Sequence, residues 1–262
     1  MENMNRKKII IIAVVFFGII SVIIFPRAQA FYYRNQMERE NSETLQKITS
    51  KDVIAKTALD AIQSATLKPV IPERAYLKVP FFCQAPMTND ESWKIHHASC
   101  EEAALLQAVY YDKNITEVDL NKVDQTLRDM VAWQENHFGV HKDIHADSVK
   151  ILMMNYFGYT SDEIVIIRKA SLYEIKEQVA AGFPVIAPTY GRLLKNPFYK
   201  QPGPEYHMVT IIGYTEDRII TNDVGTKRGK DYSYKFGIFK TSMDKEGGDV
   251  LVIRSKRGVQ AQ

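Results

Sequence analysis

The sequence predicts an α+β domain, helices first and an antiparallel sheet later, preceded by a transmembrane helix. Three observations carry this. Helical periodicity dominates from Ser99 to Ala181, short β-branched runs dominate after Val185, and an uncharged apolar run fills Ile9 to Phe25. Helices followed by strands, rather than alternating with them, argue against a parallel βαβ sheet. The 262 residues are 45% hydrophobic and 11% aromatic, which supports a packed core and excludes wholesale disorder. A net charge of +3, from 34 basic and 31 acidic residues, gives no electrostatic case for a nucleic-acid partner. The sequence contains no internal repeat, no GxGxxG and no P-loop.

Three segments follow from composition. Residues 1–30 are a membrane anchor or signal segment. Arg6, Lys7 and Lys8 precede the 17-residue run from Ile9 to Phe25, which spans about 25 Å as helix. Ala28-Gln29-Ala30 resembles a signal-peptidase site, but Arg27 stands where a cleavage region ordinarily lacks charge, so a retained single-pass anchor is the favoured reading and secretion after cleavage at Ala30 the alternative. In both cases the basic flank stays cytoplasmic and the rest faces outward. Residues 31–73 are polar, weakly helical in pattern and broken by Pro69 and Pro72, as a stalk would be. The folded domain occupies residues 74–262.

Within it, Leu77 to Phe82 reads as an extended entry segment, because the residue before Pro80 avoids the helical region. Asp90 to His97 reads as a polar loop around Trp93. Ser99 to Tyr111 is a helix with Ala103, Leu106 and Tyr110 on one face. Thr116 to Gln134 and Asp143 to Phe157 are further helices. Ser171 to Ala181 is another, opened by a Ser171/Glu174 capping box and stopped by Gly182. Strands follow at Val185 to Pro188, His207 to Gly213, Arg218 to Thr221 and Asp249 to Ile253, with a hairpin turn over Tyr214 to Asp217. Gly191 to Gly203 is a long loop just before His207, read equally well as ordinary surface or as the rim of a substrate cleft.

The chemistry centres on Cys100. It stands where a polar loop turns into a strong helix former, and a thiol at a helix N-terminus tends to ionise. His207 opens one strand and Asp223 closes the next, so an antiparallel pair would bring base and orienting carboxylate together. Gln84 lies upstream and could donate its amide to an oxyanion beside the Cys100 backbone N–H. Each residue also has a plain reading: a structural thiol, a core histidine, a turn aspartate. Cys83 and Cys100 are too few for a disulfide scaffold, and a bond between them would silence the better-placed thiol. His96, His97 and Cys100 lack the spacing of a zinc site. His141 and His145, four apart, lack the glutamate of a metalloprotease helix and read as a surface pair at a helix start.

Four blocks then occur in order: Val79-Pro80-Phe81-Phe82-Cys83-Gln84-Ala85-Pro86, Ser99-Cys100-Glu101-Glu102-Ala103, His207-Met208-Val209-Thr210-Ile211-Ile212-Gly213-Tyr214 and Thr221-Asn222-Asp223-Val224-Gly225-Thr226. Together they resemble the bacteriocin-processing, double-glycine leader type of cysteine peptidase, in its stand-alone branch within the papain-like clan. The resemblance covers about residues 75–254. It implies a papain-like α+β fold, a nucleophile at Cys100, a general base at His207, an orienting Asp223 (with Asn222 as the alternative) and an oxyanion donor at Gln84. It implies no metal or organic cofactor, and a peptide or protein as substrate. Val224 departs from the proline that the family commonly has there, and the Gln84–Cys100 spacing is longer than in papain, with Trp93 in the insertion.

The expectation is an outward-facing, membrane-anchored cysteine peptidase. A cell-wall amidase or transpeptidase-like enzyme of related fold and a catalytically silent surface-binding domain are the alternatives. The anchor has a direct check. The protein should fractionate with membranes, and protease added to intact spheroplasts should remove residues 75–262. Protection of the domain would place it in the cytoplasm and end the topological reading.

Overall fold

The computed structural model describes residues 25–49 and 70–255. The apolar run from Ile9 to Phe25, on which the membrane anchor depends, lies outside the described residues except for its last member. Among the described residues no helix is long and apolar enough to cross a membrane. The first described element is α1, Phe25–Thr49, a single polar helix where a stalk was expected.

The domain is built on a seven-stranded antiparallel sheet. In chain order its strands are β1 (Ala75–Tyr76), β2 (Ile164–Ile167), β3 (Val185–Tyr190), β4 (Tyr206–Tyr214), β5 (Arg218–Asn222), β6 (Tyr232–Lys235) and β7 (Val250–Ile253). Their spatial order is β2-β7-β3-β4-β5-β6, and β1 pairs with the far end of β4. The helices are α2 (Asp90–Ile95), α3 (Cys100–Asp112), α4 (Leu120–Phe138), α5 (Ala146–Phe157), α6 (Leu172–Ala180), α7 (Gly191–Leu194) and α8 (Phe236–Lys245). Segregated α+β architecture with an antiparallel sheet is therefore what the chain forms.

The predicted helices near Cys100, Val123, Val149 and Ile175 all occur, with the expected capping box at Ser171 and Glu174. The four predicted strands occur too, and the turn at Tyr214 to Asp217 closes with Thr215 N–H donating to Arg218 O at 2.9 Å. Two readings need correction. Asp90–Ile95 is a short helix, because Asn89 caps it by accepting from Ser92 N–H at 2.8 Å. Helix α3 has no single apolar face: it is buried from Cys100 through Val109. It is wedged between the sheet and α4, which makes it a central helix rather than an amphipathic one. Helices also cover both faces of the sheet. Ile186, Met208, Leu251 and Ile253 join the core formed with α3, α4 and α5, while their alternating neighbours Val185, Val209 and Val252 are buried without joining it. Helices α6 and α8 pack against β3 on that second side. Burial on both faces explains why β4 reads as a nearly unbroken apolar run.

Central strand β4 is pinned at several points. Thr210 Oγ1 donates to Ala104 O on α3 at 2.9 Å, and Leu77 N–H donates to Ile212 O at 2.7 Å. Gly213 permits the second contact to continue into β1: a Cβ there would stand 2.7 Å from Ala75 O. At the other end of α3, buried Asp112 accepts from Tyr159 Oη at 2.7 Å and from Ser255 Oγ, joining the helix to the residues after α5 and β7. Asp112→Ala should therefore lower stability by about 2–4 kcal/mol, since it removes a charged acceptor shared by two hydroxyls. Urea midpoints measure this, and a loss under about 0.5 kcal/mol would show that the junction does not depend on Asp112.

Candidate active site

The histidine and aspartate come together as the hairpin reading expected. His207 lies at the start of β4, opposite Thr189 on β3. Asp223 follows directly on β5, which pairs antiparallel with β4. His207 Nε2 meets Asp223 Oδ1 at 2.8 Å, and both side chains are buried. Asn222 turns elsewhere: its Nδ2 donates to Val79 O at 3.1 Å and to Pro80 O at 3.4 Å. Asp223, not Asn222, thus faces the histidine. With Nε2 bonded to a carboxylate it carries the proton, and Nδ1 keeps the lone pair.

Asp223 holds more partners than the sequence suggested. Oδ1 also accepts Gly225 N–H at 3.0 Å. Oδ2 accepts Tyr199 Oη at 2.6 Å, Asn196 Nδ2 at 3.0 Å and Tyr234 Oη. Burial pushes the carboxyl pKa up, but the charge of His207 and hydrogen bonds from His207, Tyr199 and Tyr234 outweigh it and hold it below the usual range. The phenols are pushed well up, by burial and then by the Asp223 charge. Gly225 is required for space as well, because a Cβ would stand 2.8 Å from His207 Cε1. The segment from Gly191 to Gly203 is not one loop, since Gly191–Leu194 forms α7, and the loop after that helix sends Asn196 and Tyr199 inward to the aspartate. Its aromatic-rich sequence just before His207 was the available signal. The Tyr232-Ser233-Tyr234 alternation of β6 was the signal for Tyr234.

Cys100 is the first residue of α3, as expected, and both cysteines are free thiols. Its hydrogen bond goes to Glu101 Oε2 at 3.1 Å, not to His207. Its link to the histidine is through the backbone, since the Met208 N–H also bonds the sulfur. Ionisation by the helix N-terminus is the expectation that fails. Burial, the Glu101 charge, its hydrogen bond and then the Glu102 charge push the thiol pKa well above its ordinary value. Burial of the thiol first, and then two carboxylates in the same turn, outweigh a helix end that carries only about half a charge.

The acids are themselves constrained. Glu101 Oε1 accepts Ile144 N–H at 2.8 Å, and its carboxyl pKa is pushed well up by burial and by Glu102. Glu102 Oε1 accepts from Gln134 Nε2 and lies 3.6 Å from His141 Nε2. His141 is thus turned inward rather than forming a surface pair, and the neighbouring Glu102 carboxylate raises its pKa. His145 stays exposed as the N-cap of α5. His96 is buried against Asp124 Oδ1 at 2.8 Å.

Gln84 is buried close to the residues that precede α3, but its amide is engaged. Nε2 donates to His96 O at 2.9 Å and to His97 O at 3.1 Å, which uses both of its protons. Donation to an oxyanion requires exchanging one of these bonds. Cys83, next in sequence, is pushed up to about 12 by burial and then by the Asp223 charge.

Removing the negative charge beside the sulfur has a definite sign. Glu101→Gln keeps an oxygen for Ile144 N–H and deletes the charge, so the thiol pKa falls from its raised value. Iodoacetamide labelling of Cys100 at about pH 8 should speed up about tenfold for each unit of that fall. An unchanged or slower rate would show that Glu101 does not hold the thiol neutral.

Comparison with known proteins adds a family to this geometry. No curated protein matches the sequence. A solved structure from Bacillus anthracis, provisionally described as a C39-like peptidase, aligns with a TM-score of 0.49 and 17% identity, over 71% of this chain and 99% of that one. A family model matches residues 76–248, from β1 to the turn before β7, and on that match the chain belongs to the Peptidase C39-like family.

Proposed function

We propose that this protein is a cysteine peptidase in which Cys100 attacks, His207 is the base and acid, and Asp223 orients the histidine. Family membership points to a peptidase, and the buried His207–Asp223 pair at 2.8 Å is the observation that carries the assignment of roles. The Cys100 thiol leaves Glu101 and gives its proton to His207 Nδ1. The thiolate then forms a bond to the substrate carbonyl carbon, and the carbonyl electrons move to oxygen. As the C–N bond breaks, the imidazolium returns the proton to the departing amine, leaving a thioester. Water, deprotonated by His207, releases the acid and restores the thiol. The Cys100 backbone N–H and Gln84 Nε2, once exchanged from a loop carbonyl, are the oxyanion donors in this scheme.

The finer placement is part of the same proposal. The four sequence blocks support the stand-alone, double-glycine type of peptidase. The basic residues at 6–8, followed by an apolar run, support an outward-facing, membrane-anchored domain. A catalytically silent binding domain is the second reading, favoured by the thiol bonded to Glu101 and by the engaged Gln84 amide.

Variants of the two cysteines separate these readings. Cys100→Ala should abolish peptide hydrolysis and labelling by a thiol-directed activity probe while leaving the fold unchanged. Cys83→Ala should do neither. Full hydrolysis by Cys100→Ala would sink the mechanism, and absence of both hydrolysis and labelling in the wild type would favour the silent domain.

A further inference from the structure

The two oxygens of Asp223 have separate tasks. Oδ1 serves His207 Nε2 and Gly225 N–H, whereas Oδ2 is enclosed by Asn196 Nδ2, Tyr199 Oη and Tyr234 Oη. Asn196 and Tyr199 come from the loop after α7, and Tyr234 from β6. The three donors brace one another. Asn196 Nδ2 also reaches Tyr234 Oη at 2.9 Å, and its Oδ1 accepts Phe198 N–H at 2.9 Å. Tyr199 touches both members of the pair, since its ring stands edge-on to the His207 ring at 5.4 Å.

Such an enclosure has a chemical consequence. Asp223 is fully buried, and a buried carboxylate without donors takes up a proton rather than remain charged. A neutral Asp223 would still accept a hydrogen bond, but it would no longer offset the charge that His207 acquires. We propose that Asn196, Tyr199 and Tyr234 are positioning residues that keep Asp223 ionised and so set the acid limit of the pH range in which His207 works. This rests on the cysteine-peptidase reading of the site. The clamp acts on the Asp223 oxygen that does not meet His207, so its members need not touch substrate.

The groups that face Asp223 come from several elements. They are His207 on β4, Tyr199 on the loop, Tyr234 with Tyr232 beside it on β6, and Cys83 on the entry segment. Lys227, on the turn after β5, acts on Cys83. Phenols suit the task. They donate to the anion while their rings fill the space around it, and loss of the hydroxyl alone leaves the packing in place.

The sign follows directly. Each donor favours the charged carboxylate, so its removal raises the Asp223 pKa, and the acid limb of activity moves to higher pH. A purely structural role would lower activity equally at every pH. The test uses the full chain in detergent with carboxyl-13C aspartate, the Asp223 signal being assigned by its loss in Asp223→Asn. Tyr199→Phe and Tyr234→Phe should each move the Asp223 midpoint up by about one pH unit. The acid limb of kcat/KM for peptide hydrolysis should move with it. Asn196→Ala should act in the same direction, and circular dichroism identifies any variant that has not folded. An Asp223 midpoint unmoved in the folded variants overturns the clamp. So does activity that falls without a change in the shape of the pH profile. A wild type that neither hydrolyses peptides nor labels at Cys100 overturns the peptidase reading instead, while the carboxyl titration still decides the clamp.

Discussion

A carboxylate with no access to water must be met by donors on every side, and Asp223 organises much of this domain by that demand. Five donors converge on it from the histidine strand, the loop before that strand, the turn after β5 and β6. The loop residues Asn196 and Tyr199 are buried because their polar ends have a charge to reach. Gly229 belongs to the same arrangement. Its carbonyl accepts Asp223 N–H at 2.8 Å, and a Cβ on it would overlap Asp223 O. Charged hydrogen bonds contribute about 1.5–3 kcal/mol each, so several together can offset the desolvation of one buried anion.

Around Cys100 the balance runs the other way. Glu101 and Glu102 sit in the first turn of α3, where acidic residues ordinarily favour the helix dipole. Here both are buried, and their charges oppose a thiolate more strongly than the dipole supports one. The same acids tie the helix start to the segment between α4 and α5, through Ile144 N–H and through His141. Tyr206 reinforces that tie from β4, with Oη donating to Ile144 O at 2.7 Å. The segment that carries His141 and Ile144 therefore helps to set the environment of the sulfur through the two glutamates.

Much of this was legible in the sequence, and the gaps have physical causes. Helix and strand periodicities located the main helices and strands β3, β4, β5 and β7, and hairpin logic brought His207 to the Asn222-Asp223 turn, where the structure selects Asp223. Strand β1 escaped because two residues cannot display a period, and the four-residue edge strands β2 and β6 escaped because, unlike Val250–Ile253 after Gly247-Gly248, no glycine pair announces them. Helix α8 begins with Phe236 and Gly237 and carries no acidic residue in its first turn, so its start lacks the usual signals. The tyrosines around Asp223 escaped because their role depends on where a loop folds, which spacing does not encode. The Cys100 environment was misread for a related reason. A dipole can be inferred from one helix, whereas burial of Glu101 and Glu102 requires the sheet, α4 and the segment around Ile144 to be in place.

Strand β4 explains how these two opposed environments coexist a residue apart. Alternation turns Met208 toward α3 and sends His207 to the other side, where Asp223 waits. The peptide unit between them belongs to both settings, because the Met208 N–H reaches the Cys100 sulfur. Helix α3 is held to this strand further along by the Thr210 bond to Ala104 O. The thiol and the imidazole thus take different side-chain partners, Glu101 for Cys100 and Asp223 for His207. Alternation along one strand therefore sets the Cys100 helix against Met208 and the His207 ring against Asp223, and the buried Glu101 is the side chain that the sulfur meets.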